Sequence, residues 1–132
     1  MVEMELVEIR IDETSSEQVI VLKEKQGQRF VPIVIGMFEA QSIHVKINNI
    51  QLPRPLTHDL LMGVIEALGA ALVRIVVNNL EHNTFYARLI LRTREGEEVD
   101  VDSRPSDAIA LALRAEVPIY VEEDVLTQLS TS

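Results

Sequence analysis

The run Arg54-Pro55-Leu56-Thr57-His58-Asp59 sets a guanidinium, an imidazole and a carboxylate close together at the entrance to an expected helix. Arginine can clamp a phosphate, histidine can move protons near neutral pH, and aspartate can orient the histidine or bind a metal. Together these groups suit cleavage of a phosphodiester. They equally suit helix capping with a surface ion pair, and no nucleophile accompanies them in the sequence.

A second run, Asp102-Ser103-Arg104-Pro105-Ser106-Asp107, feeds into an apolar, alanine-rich helix. Proline restricts the residue before it and suits the first helical position, so Arg104 is the expected N-cap and Asp107 the third helical residue. Asp107 can then reach back to a free backbone N–H at the positive end of the helix dipole, and Asp102, Arg104 and Asp107 can form a small ion-pair network. The sharper reading is that this helix start binds an anion, or that Asp102 and Asp107 hold a divalent cation with oxygen ligands. Glu39 sits in the first turn of another expected helix, where a glutamate ordinarily complements the dipole. Tyr86 and Arg88 share one face of their strand, an aromatic and a cation able to line a nucleotide surface, although such positions are more often core and rim. The sequence holds no phosphate-binding glycine loop, no GxSxG and no HExxH, and His44, His58 and His82 lack metal-ligand spacing.

The elements that must position these groups follow from hydropathy periods. From Val2 to Ile11 apolar and charged residues alternate, with a register shift between Leu6 and Val7 that predicts a bulge. Strands are expected at Gln18–Lys23 and Phe30–Ile35, the latter at an edge because Pro32 cannot donate a ladder hydrogen bond. A helix is expected over Met37–Ile47, and another after Thr57 as its cap, with Leu60, Leu61, Val64, Ile65 and Leu68 as its stripe and Gly69 ending it. Ala71–Val77, Thr84–Arg92 and Glu97–Val101 read as strands, the first two joined by a loop at Asn78–Asn83. A third helix over Pro105–Ala115, a short strand Val117–Val121 and a turn or helix from Glu122 to Leu129 complete the pattern. Helices set between strand meanders, without regular β-α-β alternation, indicate α+β with antiparallel or mixed strands and about three main helices.

A chain of 132 residues with 47 % apolar composition fits one domain, with a core from about residue 2 to 129. Zero cysteines exclude a disulfide framework, a thiolate metal site and a cysteine nucleophile, and fit a reducing compartment. The N-terminus lacks the basic start and apolar core of a secretory signal, and no apolar run approaches the roughly 20 residues that span a bilayer. The expectation is a cytoplasmic protein with no membrane partner. The net charge of −9 disfavours nonspecific binding to nucleic acid, yet twelve Lys and Arg remain to build a local basic site.

Four runs taken in order, Gly36–Ile43, Arg54–Leu60, Phe85-Tyr86-Ala87 and Asp102–Ala110, closely resemble the bifunctional nuclease domain family of small bacterial proteins with plant relatives. The resemblance implies an α+β fold of its own, a homo-oligomeric assembly and, for characterised relatives, cleavage of both DNA and RNA. It points to Glu39, His58, Asp59, Asp102 and Asp107 as the carboxylate and imidazole groups, with Arg54 and Arg104 on phosphate. A divalent metal, magnesium or manganese, at Asp102 and Asp107 would supply charge stabilisation and an activated water. Some relatives carry a further C-terminal UvrB/UvrC-type helical module, and nothing in this sequence corresponds to it. The competing class is a noncatalytic oligomeric binding or regulatory protein whose motif residues fix helix starts and subunit contacts.

Overall fold

The computed structural model describes residues 1–131. Strands β1 (Val2–Arg10), β2 (Glu17–Glu24) and β3 (Phe30–Gly36) form an antiparallel meander, and β4 (Ala71–Glu81), β5 (Thr84–Arg92) and β6 (Glu98–Ser103) form a second. The short strand β7 (Ile119–Val121) lies between β1 and β4, antiparallel to the first and parallel to the second. The result is one seven-stranded mixed sheet in the order β3-β2-β1-β7-β4-β5-β6. Its helices are α1 (Met37–Ile47), α2 (Thr57–Ala67), α3 (Pro105–Ala115) and α4 (Glu123–Thr131). This is the α+β class expected from the pattern, with the segment after β7 resolved as a helix.

Local chemistry accounts for the boundaries. The register of β1 against β2 slips between Leu6 and Glu8, where the alternation changes phase. Pro32 lies in β3, an edge strand, where a missing N–H breaks no ladder. The expected loop at Asn78–Asn83 is mostly strand: β4 continues to Glu81, and only His82 and Asn83 turn the chain. Both have positive φ, 50° and 63°, the conformation of a two-residue hairpin whose twist matches its strands. Asparagine tolerates that region, which is why polar residues misread as a long loop can close a tight turn. Gly69, at φ 78°, ends α2 as expected.

Helix α3 lies at the centre of the helical layer, against α1, α2, β3, β4 and β5. Ala108, Ile109, Ala110 and Leu111 are fully buried, and small alanines let the helix approach both sheet and neighbours. The core continues through Met4, Ile20, Leu22, Ile43, Ile75, Val77 and Val121. Edge strand β6 carries Glu98, Asp100 and Asp102 in alternation, which blunts its free ladder against pairing with other chains.

Truncating Ile109 to alanine should lower unfolding free energy by about 2–5 kcal/mol, read as an earlier urea midpoint at unchanged slope.

Candidate active site at the meeting of three helix starts

Helices α1, α2 and α3 each carry an acid as their third residue, Glu39, Asp59 and Asp107. Two of them serve their own helix. Glu39 folds back over Gly36, the N-cap of α1, so closely that a side chain at position 36 would collide with its carboxylate. Asp59 Oδ2 accepts the backbone N–H of Leu56 at 3.0 Å. This makes Leu56 the N-cap of α2 and Thr57 its first helical residue, one position from expectation, because the capping oxygen comes from inside the helix. Asp107 behaves differently. Its Oδ1 lies 2.8 Å from Nε2 of His58, forty-nine positions away in sequence.

His58 is 8 % exposed and occupied at both ring nitrogens, since its Nδ1 lies 2.6 Å from Ser42 Oγ. Ser42, on α1, is 5 % exposed. The contacts run serine, histidine, aspartate, but the carboxylate engages Nε2 and the hydroxyl Nδ1, the reverse of the serine-hydrolase arrangement, and this hydroxyl is enclosed. Ser42 is therefore no nucleophile. Behind it stands Arg114, whose side chain is 7 % exposed. Its Nη2 donates to Ser42 Oγ at 3.0 Å and to Ser42 O at 3.3 Å, its Nη1 to Ala110 O at 3.1 Å, and its Nε to Asp59 Oδ1 at 2.7 Å.

Two clefts flank the His58–Asp107 pair. The smaller, about 500 Å³, is lined by Phe38, Glu39, Ser42, Thr57, His58 and Asp107. The larger, about 800 Å³, is bordered by the same histidine and aspartate, by Tyr86, Asp102 and Arg104, and by apolar walls such as Leu61 and Val101. Arg104 is exposed and is the N-cap of α3 through its backbone, as expected. The expected ion-pair network does not form among the described residues, because Asp107 turns to His58 instead. The structure thus gathers Glu39, His58, Asp107 and Arg104 around adjoining clefts. Arg54 is exposed in a separate hollow with Asp59 and Arg114, apart from Arg104. Asp102 pairs across the sheet with Arg88, and Ser103 with the buried Ala87. Strand alternation therefore assigns Asp102 to the face that Arg88 occupies and Ser103 to the face covered by α3. Residue types and local spacing pointed to His58, Asp107 and Arg104 but not to Ser42 or Arg114. The signal for Arg114 was a lone cation at helical spacing from Ala110 and Asp107 in an otherwise apolar helix.

Among the described residues no three His, Asp or Glu side chains are grouped to hold a metal ion. Asp102 and Asp107 both border the larger cleft, but with no third ligand grouped beside them they do not by themselves make a protein cage for a cation. One carboxylate with an open oxygen fits a hydrated ion completed by waters and substrate phosphates, the usual mode for magnesium.

The bifunctional nuclease domain matches residues 20–132 of the sequence. The chain belongs to that family. It is 44 % identical over 128 residues to an uncharacterized protein of Mycobacterium tuberculosis, covering 97 % of this chain and 76 % of that one. It is 29 % identical over 120 residues to a protein named bifunctional nuclease 1 in Oryza sativa subsp. indica, covering 89 % of this chain and 36 % of the rice protein. A protein named bifunctional nuclease 2 in Arabidopsis thaliana is 30 % identical over 108 residues, 79 % of this chain and 32 % of its own length. This family domain thus spans about a third of those plant relatives. No helix among its described residues is long and apolar enough to cross a membrane.

The ionisation of Asp59 ties this site to stability. Burial works to raise its pKa, but the hydrogen bonds from Arg114 and the Leu56 N–H, with the charge of Arg114, hold it below the ordinary aspartate value. A depressed folded value contributes stability above the unfolded pKa of about 3.9 and loses it as pH falls through the folded one. The melting-temperature gap between the native protein and Asp59→Asn should therefore be constant from neutral pH to about pH 5 and shrink below about pH 4. Arg114→Met should cost about 2 kcal/mol in urea unfolding, less than for a fully enclosed pair because the Asp59 side chain remains 42 % exposed.

Proposed function

We propose that this chain hydrolyses phosphodiester bonds of DNA and RNA at the clefts beside Asp107. The observation that carries this reading is the departure of Asp107 from capping: its Oδ1 is fixed by a buried histidine while its side chain stays 41 % exposed, bordering both clefts. A carboxylate held by one oxygen and open at the other is placed to accept the proton of an attacking water. Membership of a nuclease-named family supports the same reaction class. His58, with both nitrogens engaged, holds that carboxylate. Arg104 offers a planar fork to a phosphate of the substrate, and Glu39 lines the smaller cleft as a second carboxylate. The net charge of −9 opposes long-range attraction of a polyanion, so capture rests on Arg104 and on the N–H groups of the helix starts. Magnesium or manganese would be held by Asp107 with waters and substrate phosphates, supplying neutralisation of phosphate charge. The absence of cysteine supports a cytoplasmic setting.

A second reading, a noncatalytic homo-oligomeric binding or regulatory protein, is favoured by one observation. Along α2, Leu60, Val64 and Leu68 are 60 %, 46 % and 70 % exposed at successive i, i+4 positions, and Phe38 nearby in the smaller cleft is 82 % exposed. An apolar ridge of this kind suits a subunit contact. The homo-oligomer belongs to both readings.

With magnesium or manganese present, the purified protein should cut single-stranded DNA and RNA, and chelation should stop it. Asp107→Asn should lower kcat by about 100-fold or more, and Asp102→Asn by less, because Asp102 borders the larger cleft without the contact to His58. Intact substrate with the native protein, or equal rates for Asp107→Asn, would sink the nuclease reading and leave the noncatalytic one. Sedimentation of a Leu60→Glu/Leu68→Glu variant should report a monomer with an unchanged melting temperature. A variant that keeps the native mass would remove α2 as the contact.

A further inference from the structure

Every hydrogen bond between Arg114 and Asp107 has a direction that the chemistry of the donors fixes. A guanidinium has N–H groups only and cannot accept. The 3.0 Å contact from Arg114 Nη2 therefore occupies one of the two lone pairs of Ser42 Oγ and leaves the second lone pair and the hydroxyl proton for other partners. At the other end an ionised Asp107 can only accept, so the neutral imidazole carries its proton on Nε2 and its bare Nδ1 accepts the Ser42 hydroxyl proton at 2.6 Å. The Nε2–H then donates to Asp107 Oδ1 at 2.8 Å. The donors thus run from Arg114 to Ser42 to His58 to Asp107, with the direction set by the acceptor-only carboxylate at one end. The other end is anchored by a cation that burial and three acceptor groups hold in place.

We propose that Ser42 and Arg114 are positioning residues for the Asp107 carboxylate. Arg114 holds Ser42 Oγ in place, the Ser42 hydroxyl reinforces the Nε2–H tautomer of His58 by donating to Nδ1, and that N–H holds Oδ1 of Asp107 so that Oδ2 is presented to the clefts. As far as it concerns turnover, this rests on the nuclease reading above. The tautomer itself does not. The alternative tautomer, with a proton on Nδ1, would leave Nε2 as an acceptor opposite a carboxylate. That contact would turn from attractive to repulsive. A purely structural serine would tolerate loss of the hydroxyl with no change at His58 Nε2, which lies on the far side of the ring.

The test is imidazole ¹⁵N correlation spectroscopy of the full chain, well above the ordinary histidine pKa of about 6.5, run beside turnover measurements. The native protein should give the Nε2–H pattern for His58, assigned by its loss in His58→Gln. Ser42→Ala should shift that pattern toward a mixture of tautomers, and Ser42→Thr, which restores a hydroxyl, should recover it. Turnover should fall about tenfold or more in Ser42→Ala with KM within about twofold, and Asp107→Asn should add less in that background than it costs alone. An Nδ1–H pattern in the native protein overturns the proposal, even if Ser42→Ala does not fold. An unchanged Nε2–H pattern with native kcat in Ser42→Ala overturns it too. If the native protein leaves nucleic acid intact while the tautomer responds as described, the positioning role stands and the nuclease reading alone is lost.

Discussion

The site depends on one buried cation. Arg114 sits on α3 with its side chain 7 % exposed, and a guanidinium so enclosed must have acceptors for its N–H groups or cost several kcal/mol. It finds them on three helices: Ala110 O on its own, the Ser42 carbonyl and hydroxyl on α1, and the Asp59 carboxylate on α2. Nonpolar packing brings these helices together, but many small rotations would bury similar area. The guanidinium fork has few geometries that satisfy it, and so it selects the arrangement in which all three helix starts meet.

That arrangement explains why three acids at the same helical position have different roles. Asp59 turns back to its own N-terminus, where the Leu56 N–H holds it, and Glu39 folds back over Gly36 at the positive end of its helix. Asp107 has the same local option and leaves it for His58, because α2 has been brought beside the start of α3. The charge of a helix start is left facing a cleft, and the carboxylate that would have answered it is held sideways. A fixed carboxylate beside an exposed arginine at a helix start is an arrangement for polar chemistry that capping does not require.

The sheet sets a second limit. Because β6 pairs only with β5 and its register places Asp102 opposite Arg88, side chains one residue apart near the end of the strand belong to opposite faces. Asp102 and Asp107 border the same cleft, but the turn into α3 lies between them and only Asp107 reaches His58. Arg54 and Arg104 are likewise adjacent to parallel motifs, yet face different hollows. Proximity along a chain decides little once a strand end intervenes.

Sequence alone determined what local physics controls. Apolar periods located α1, α3 and most strands, Pro105 set the start of α3, Pro32 marked an edge, and a phase change in β1 marked its bulge. Four ordered runs were enough to point to the family. It misjudged the β4–β5 connection, because asparagines that suit long loops also suit the positive φ of a two-residue turn. Tertiary structure decided the rest: that Asp107 pairs with His58 across forty-nine positions, that Asp102 shares its face with Arg88, and that Ser42 and Arg114 stand behind the site. These are contacts between separate elements, and their geometry follows from how a buried charge is satisfied, which residue spacing in a single element does not encode.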